Sequence, residues 1–301
     1  MKRIATTLGI LFLSVFSVQS QNKSISDRYL EAGNLKKAIE GYKKDYNSKV
    51  SRFTKKQRAY KVARAYAFDG NQDSTFRYLY IACKRDSTVK VLRDPAFYYY
   101  WGSESWITFE DMIIENTQKK YGEYKSLKTS KDLWNIRATW ELLDYQNRVL
   151  ELKGLGSSSL SRFLGREKML LEKDLAVFVT NYVEKNGWPK DSELGRNATL
   201  AAALIVYNSS AEKIREYLSV VKASCEANET LWGVYAYLYD KLARYEDRPQ
   251  KYGTQMVQID KSHKGLYRVE SRANLDKLRE EMGLQKIDNM LLYGDDFWGF
   301  F

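Results

Sequence analysis

Three aspartates, Asp144, Asp174 and Asp240, are the side chains of this chain best suited to chemistry. Two carboxylates held roughly 5–9 Å apart are enough for glycoside hydrolysis, one giving a proton and the other acting as base or nucleophile. Other reactive sets are thin. The single histidine, His263, lies in the basic polar stretch Lys261–Lys264, where it reads as a surface residue. Any Ser-His-Asp or Cys-His arrangement would have to use it, and no Gly-x-Ser-x-Gly elbow is present. Cys83 and Cys225 each sit in an apolar helical stretch and read as unpaired core thiols, although an exported chain permits a disulfide. Two lone cysteines make no zinc site, and no EF-hand loop is visible. The glycine- and serine-rich run Gly154–Ser159 lacks the Lys-Ser/Thr ending of a phosphate loop and follows no strand, so it reads as a flexible interhelical loop. No metal or cofactor is expected.

The same aspartates also suit a buried network with Arg148, Arg244 and Gln255, because a buried charge must be paired. A structural network, a ligand site and a catalytic site therefore all remain open. What separates them is whether Asp144, Arg148, Asp174, Asp240 and Gln255 converge on one cavity.

The elements that would position these residues are helical. Apolar residues recur at spacings of three and four, and the chain has only 3 prolines in 301 residues, which argues against a loop-rich β fold. In the first part, helices are predicted at Ser24–Glu31, Leu35–Tyr46, Thr54–Phe68 and Asp73–Arg85. Gly33-Asn34 and Gly70-Asn71 break the two pairs at the same place, 37 positions apart. Ala38 aligns with Thr75 and Tyr42 with Leu79, while Ala63 and Tyr66 supply small and large knobs. These features resemble tetratricopeptide repeats, whose period is about 34 residues. Asp45 departs from that pattern, standing where a small residue is usual. Two repeats cannot bury a continuous core alone, so the aromatic run Phe97–Trp101 and Trp106 is expected to seal the last pair rather than to stack sugars or bases. The polar stretch 119–131 reads as a linker.

Beyond it, Leu133, Ile136, Trp140, Leu143 and Leu150 mark a helix over 133–152. Met169–Glu184 is the next, ended by Gly187-Trp188-Pro189, where Gly stops a helix and Pro prevents its restart. Asn197–Tyr207 is apolar all round and should be central. Ser209 with Glu212 reads as a capping box for the helix that follows, and another helix is predicted over Leu231–Arg244. The turn Gly187-Trp188-Pro189, the nearby Gly195, the apolar helix and then Tyr252-Gly253-Thr254-Gln255 resemble a bacterial domain-of-unknown-function family, numbered 6624. The later residues Glu270, Arg272, Asn274, Leu275, Asp276, Arg279 and Met282-Gly283-Leu284 are similar to its closing segment. The likeness spans about residues 131–284 and implies no established activity. It does imply a polar set, of which Asp144, Arg148, Asp174 and Asp240 are present. Val177 stands where that family has Asn, Asn208 where it has His, and Lys241 where it has Arg. The loss of the histidine removes the expected proton carrier and favours binding over catalysis. Asn208, Tyr252, Thr254 and Gln255 join the candidate polar cluster on this ground.

The chain begins with Lys2-Arg3, an apolar run Ile4–Phe16 and small residues at Val18 and Ser20, the order of a secretory leader ending at 20. The apolar run is shorter than the ~20 residues of a membrane span. The expected organisation is thus a leader (1–20), tetratricopeptide-like repeats (21–118), a linker (119–131) and a helical domain (132–301), all-α throughout. The formal charge is +11, spread over helix faces among acids. The sequence points first to an exported, periplasmic or secreted binding or scaffold protein whose repeats take a protein or peptide partner. A cell-envelope or glycan hydrolase is the second reading, and a binder of anionic polymers through the basic surface the third. Nucleic acid is not an expected partner.

Overall fold

The computed structural model describes residues 24–49, 51–86, 89–258 and 264–288. The segment expected to be a leader (1–20) and His263 lie outside them. The described residues are all-α but for one short ribbon. The chain forms two compact units, Met1–Gly122 with Asp144–Ser161, and Glu123–Leu143 with Arg162–Phe301.

In the first unit, α1 (Ile25–Glu31) and α2 (Leu35–Asn47) form one hairpin, and α3 (Arg52–Phe68) and α4 (Gln72–Cys83) another. Their turns are built alike. Gly33 and Gly70 take φ of +74° and +75°, a left-handed backbone that favours glycine. The next residue closes a six-to-one bond in both cases, Asn34 N–H to the Tyr29 carbonyl at 2.8 Å and Asn71 N–H to Tyr66 at 3.0 Å. Each Asn side chain then caps the following helix, accepting from Lys37 N at 3.3 Å and Ser74 N at 3.0 Å. Small residues allow close approach: a methyl group on Gly41 of α2 would strike Ser26 of α1. Ala38 and Thr75 are fully buried, as are Ala59, Val62 and Ala63.

One carboxylate ties three of these helices. Asp27 of α1 accepts from the Tyr42 hydroxyl of α2 at 2.5 Å and from Lys61 Nζ of α3 at 3.1 and 3.2 Å. It also accepts from the Ser24 backbone N–H and hydroxyl, completing a capping box.

Two 3-10 helices, Val89–Arg93 and Pro95–Tyr100, lead into α5 (Glu104–Tyr121). As expected, the rings close the second hairpin. Phe97 and Phe109 are fully buried, Tyr60 meets Phe97 edge-on at 5.8 Å, and Phe76 meets Tyr100 at 5.6 Å. Tyr99 is the exception, 78% exposed. Asp94 holds this closure. It accepts from Ala96 N and from the Tyr60 hydroxyl at 2.7 Å, and pairs with Arg64 at 3.2 Å.

The polar stretch 119–131 is not a linker along its length. α5 runs to Tyr121 and α6 (Leu127–Leu152) starts soon after, so the non-helical residues number five, 122–126. Its polarity belongs to helix surface, supported by the spaced pairs Glu115–Lys119 and Lys128–Asp132. Nor does the compact second unit begin at 132: it takes in Glu123–Leu143, and the stretch Asp144–Ser161 goes with the first.

The second unit contains α7 (Ser159–Asn186) from Arg162 on, α8 (Asp191–Leu194), α9 (Arg196–Tyr207), α10 (Ala211–Glu226), α11 (Trp232–Tyr245) and α12 (Leu275–Glu281). α7 begins ten residues before the expected Met169, because the loop after α6 ends at Ser158. α9 is its centre, with Ala198, Ala201, Ala202 and Ala203 at zero exposure. Gly187 turns the chain at φ +75° and Trp188 packs inward beside Tyr217, 4% exposed. Gly195 is fixed by close approach: a methyl group there would run into the Tyr124 ring. The cap of α10 is Ser210, which accepts from Lys213 N at 3.4 Å. Ser209 instead donates to the Val206 carbonyl at the end of α9, so the expected Ser209–Glu212 box does not form and the cap stands one residue later. A ribbon of β1 (Met256–Gln258) and β2 (Lys264–Leu266), with Met256 opposite Leu266, was not expected; three-residue strands carry no readable period. Cys83 and Cys225 are free and buried, each thiol pushed up to about 12 by burial, which keeps them unreactive.

Two substitutions test this account. Asn71→Ala removes a helix cap and should cost about 1 kcal/mol in urea unfolding. Burial pulls the Asp27 carboxyl upward, but hydrogen bonds from Tyr42, Ser24 and Lys61, with the Lys61 charge, outweigh it and hold the group below its ordinary 3.8. The ionised form therefore favours the folded state above about pH 4, and that share fades as pH falls through the lowered value. Asp27→Asn should be less stable than wild type at pH 7, with the gap narrowing below about pH 4. A gap independent of pH would contradict this.

Candidate functional site

The polar cluster assembles around Asp240, a residue on the buried face of α11 with zero exposure. After α11 the chain reverses through Asp247, whose φ of +53° is left-handed, and Arg248 N–H returns to the Ala243 carbonyl at 2.8 Å. That reversal lays residues 250–255 across the helix. The Asp240 carboxylate then accepts from Lys251 N at 2.8 Å, from Tyr252 N at 3.1 Å on both oxygens, and from Thr254 N and the Thr254 hydroxyl at 3.0 Å each.

The opposite side of the same turn is held by a cation. Arg279 of α12, also with zero exposure, donates through Nη1 to the Tyr252 and Gly253 carbonyls at 3.0 Å and through Nε to Gln285 O at 2.6 Å. Gly253 has φ of +65°, and a methyl group on it would press on Leu275 at 3.1 Å. Gln250 joins the turn to the ribbon side. Its Nε2 donates to the Gln255 and Tyr267 carbonyls, and its Oε1 accepts from Gln255 N at 2.7 Å. Gln255 in turn accepts from the Tyr207 hydroxyl at 3.2 Å and donates to the Thr254 hydroxyl oxygen at 3.1 Å. Tyr252 is buried against the rings of Tyr235 and Tyr239. Burial pushes the Asp240 carboxyl above its ordinary 3.8, opposed by the three backbone donors and the Thr254 hydroxyl. Burial likewise raises the Tyr252 phenol, with neighbouring Tyr235 and Asp240 adding to it.

The structure thus brings together Asp240, Tyr252, Thr254 and Gln255. It does not bring Asp174 to them: that residue is exposed on α7. Asp144 is half-buried on α6 in the part grouped with the first unit, and the side chain of Arg148 lies outside the described residues. Asn208 caps the end of α9 through Nδ2, donating to the Leu204 carbonyl at 2.9 Å. Val177 is 60% exposed, and the Lys241 ammonium lies over the Tyr207 and Tyr245 rings at 4.9 and 5.1 Å. In the turn Gly187-Trp188-Pro189, Gly187 is exposed while Trp188 and Pro189 are buried. Among the described residues no group of His, Cys, Asp and Glu could hold a metal ion, and no helix is long and apolar enough to cross a membrane.

Sequence reasoning missed two things here. Gln250 and Arg279 complete the clamp; Gln250 carried no signal, and Arg279 stood out only in the closing segment and not as a partner of the polar cluster. A cavity of about 410 Å³ lies elsewhere in the second unit, among α6, α7, α9 and the start of α10. Its floor is apolar, from Ile136, Leu175, Ala176, Ala201, Leu204 and Ile205, and Asn208 is the candidate residue that reaches it. The signal was present only as helical stripes on separate elements, which become a wall once they pair.

No family model matches the chain, and comparison with curated proteins and with solved structures likewise returned no match.

Asp240→Ala leaves several buried N–H groups without an acceptor and should cost about 3–5 kcal/mol in urea unfolding. Asp174→Asn, on an exposed face, should stay within about 0.5 kcal/mol. Equal effects would mean that the two aspartates are not placed as described.

Proposed function

We propose that this chain is an exported, non-catalytic binding protein of the cell envelope, whose tetratricopeptide-type hairpins present a surface to a protein or peptide partner. The observation that carries the reading is the saturation of Asp240. All of its acceptor capacity is taken by the turn it holds, whereas a catalytic carboxylate needs a free oxygen facing substrate. Asp174, the other acid that a hydrolase of this unit would need, faces solvent on α7.

The likeness of residues 131–284 to family 6624 rests on motif residues alone, and it agrees with this reading. Its most specific stretch, Tyr252–Gln255, serves as a packed turn. Its histidine position holds Asn208, occupied by a helix carbonyl. For the hairpins, support comes from the matching turns at Gly33 and Gly70 and from the small buried residues that let each pair approach closely. α3 carries exposed Lys55 and Gln57, a polar face suited to transient contact.

Intact mass of the exported protein should place the mature start at Gln21. A photo-crosslinking residue at Lys55 or Gln57 of the full chain should trap one defined protein partner in the producing cells, and the same probe at Lys222 of α10 should not. Turnover of a glycan or cell-wall substrate abolished by Asp174→Asn would refute the non-catalytic reading.

A further inference from the structure

We infer that the cavity of the second unit is a binding site for a small apolar molecule bearing one carboxylate, such as a medium-chain acid. The inference goes beyond partner binding by the hairpins and stands without it. The volume, about 410 Å³, falls in the range of small-molecule sites, and the floor is made of aliphatic side chains. Its size comes from small residues on that floor. Ala176 of α7 and Ala201 of α9 stand where larger side chains would fill the space.

The charged groups lining the cavity are three cations and one anion: Arg137, Lys173 and Lys213 against Glu172. Glu172 is engaged, accepting from the Trp140 indole N–H at 2.8 Å, while Lys168 lies 4.2 Å over the Trp140 ring. Arg137 is 1% exposed at its side chain and pairs through Nε with Glu141 at 2.7 Å. Lys213 pairs with Glu216 at 2.8 Å near the start of α10. Lys173 makes no ion pair among the described residues, lines the cavity and is exposed. Its ammonium is therefore the one we assign to the ligand's negative group.

The polarity pattern selects among ligand classes. A polyanion or a sugar would lose its hydration over an aliphatic floor with few polar partners. A cation would meet Lys173, Lys213 and Arg137. An apolar body with a single negative group satisfies both the floor and Lys173.

The test uses the full-length protein and titration calorimetry with decanoate, decanol and decyltrimethylammonium. Decanoate should bind one to one, at least tenfold tighter than decanol, and the cationic analogue should not bind. Lys173→Glu, a surface change that leaves folding intact, should weaken decanoate at least tenfold and leave decanol unchanged. Ala176→Leu should weaken both by occupying the floor. Equal affinity for decanoate and decanol would overturn the anion preference. Binding unaffected by Ala176→Leu, or no binding of decanoate, would overturn the site itself.

Discussion

The second unit turns on one burial problem. A carboxylate at zero exposure is tolerable only when its lone pairs are filled, and Asp240 fills them with the backbone of the chain segment that follows its own helix. This fixes the path of residues 250–255, because three N–H groups must point at one side chain. The carbonyls of that turn then point away, and the two at Tyr252 and Gly253 need a donor. Arg279 supplies it, and so α12 must dock where its guanidinium reaches. Leu275 and Ile287 bury themselves in the same move, packed with Met256, Leu266 and Val269. The acid, the turn it holds, the arginine and the packing of α12 on the ribbon form one dependent set.

The chain repeats this device. Asp27 joins α1, α2 and α3, and Asp94 joins the 3-10 segment to α3 through Tyr60 and Arg64. Asp191, ahead of α9, accepts from Arg196 Nε at 3.0 Å and from the Thr199 hydroxyl. In each case one short acid collects several donors and so ties together segments that are separate in the chain. Such an acid is the reverse of a catalytic one.

That is also why the helices were readable in the sequence and the site was not. Gly33-Asn34 and Gly70-Asn71 act through local backbone geometry, so the residues that cause the turn are the residues that form it. The alanines of α9 declare a central helix through composition alone. Tyr252–Gln255 stood out as a motif, yet its meaning lies in Asp240 and Arg279, one on the preceding helix and one on α12, neither close in sequence. By type alone Asp174 and Asp240 were equivalent candidates; burial separates them, and burial is a property of the assembled helices. The stretch 119–131 misled for a related reason. Polar composition marks solvent exposure, and a solvent-facing helix surface satisfies that as well as a linker does.

The cavity presents the opposite economy to the clamp. Around Asp240 every polar group is matched, while between α6, α7 and α9 aliphatic surface is left uncovered. Tight cores leave few voids larger than a water molecule, so an opening of this size bordered by Ala176 and Ala201 is a departure from how the rest of the unit packs. Trp140 lines the cavity with its indole N–H held by Glu172 and Lys168 over its ring. A side chain held by a polar partner on one side and a cation on the other is not free to rotate, and the small-molecule site proposed for this unit draws on that fixed wall as well as on the aliphatic floor.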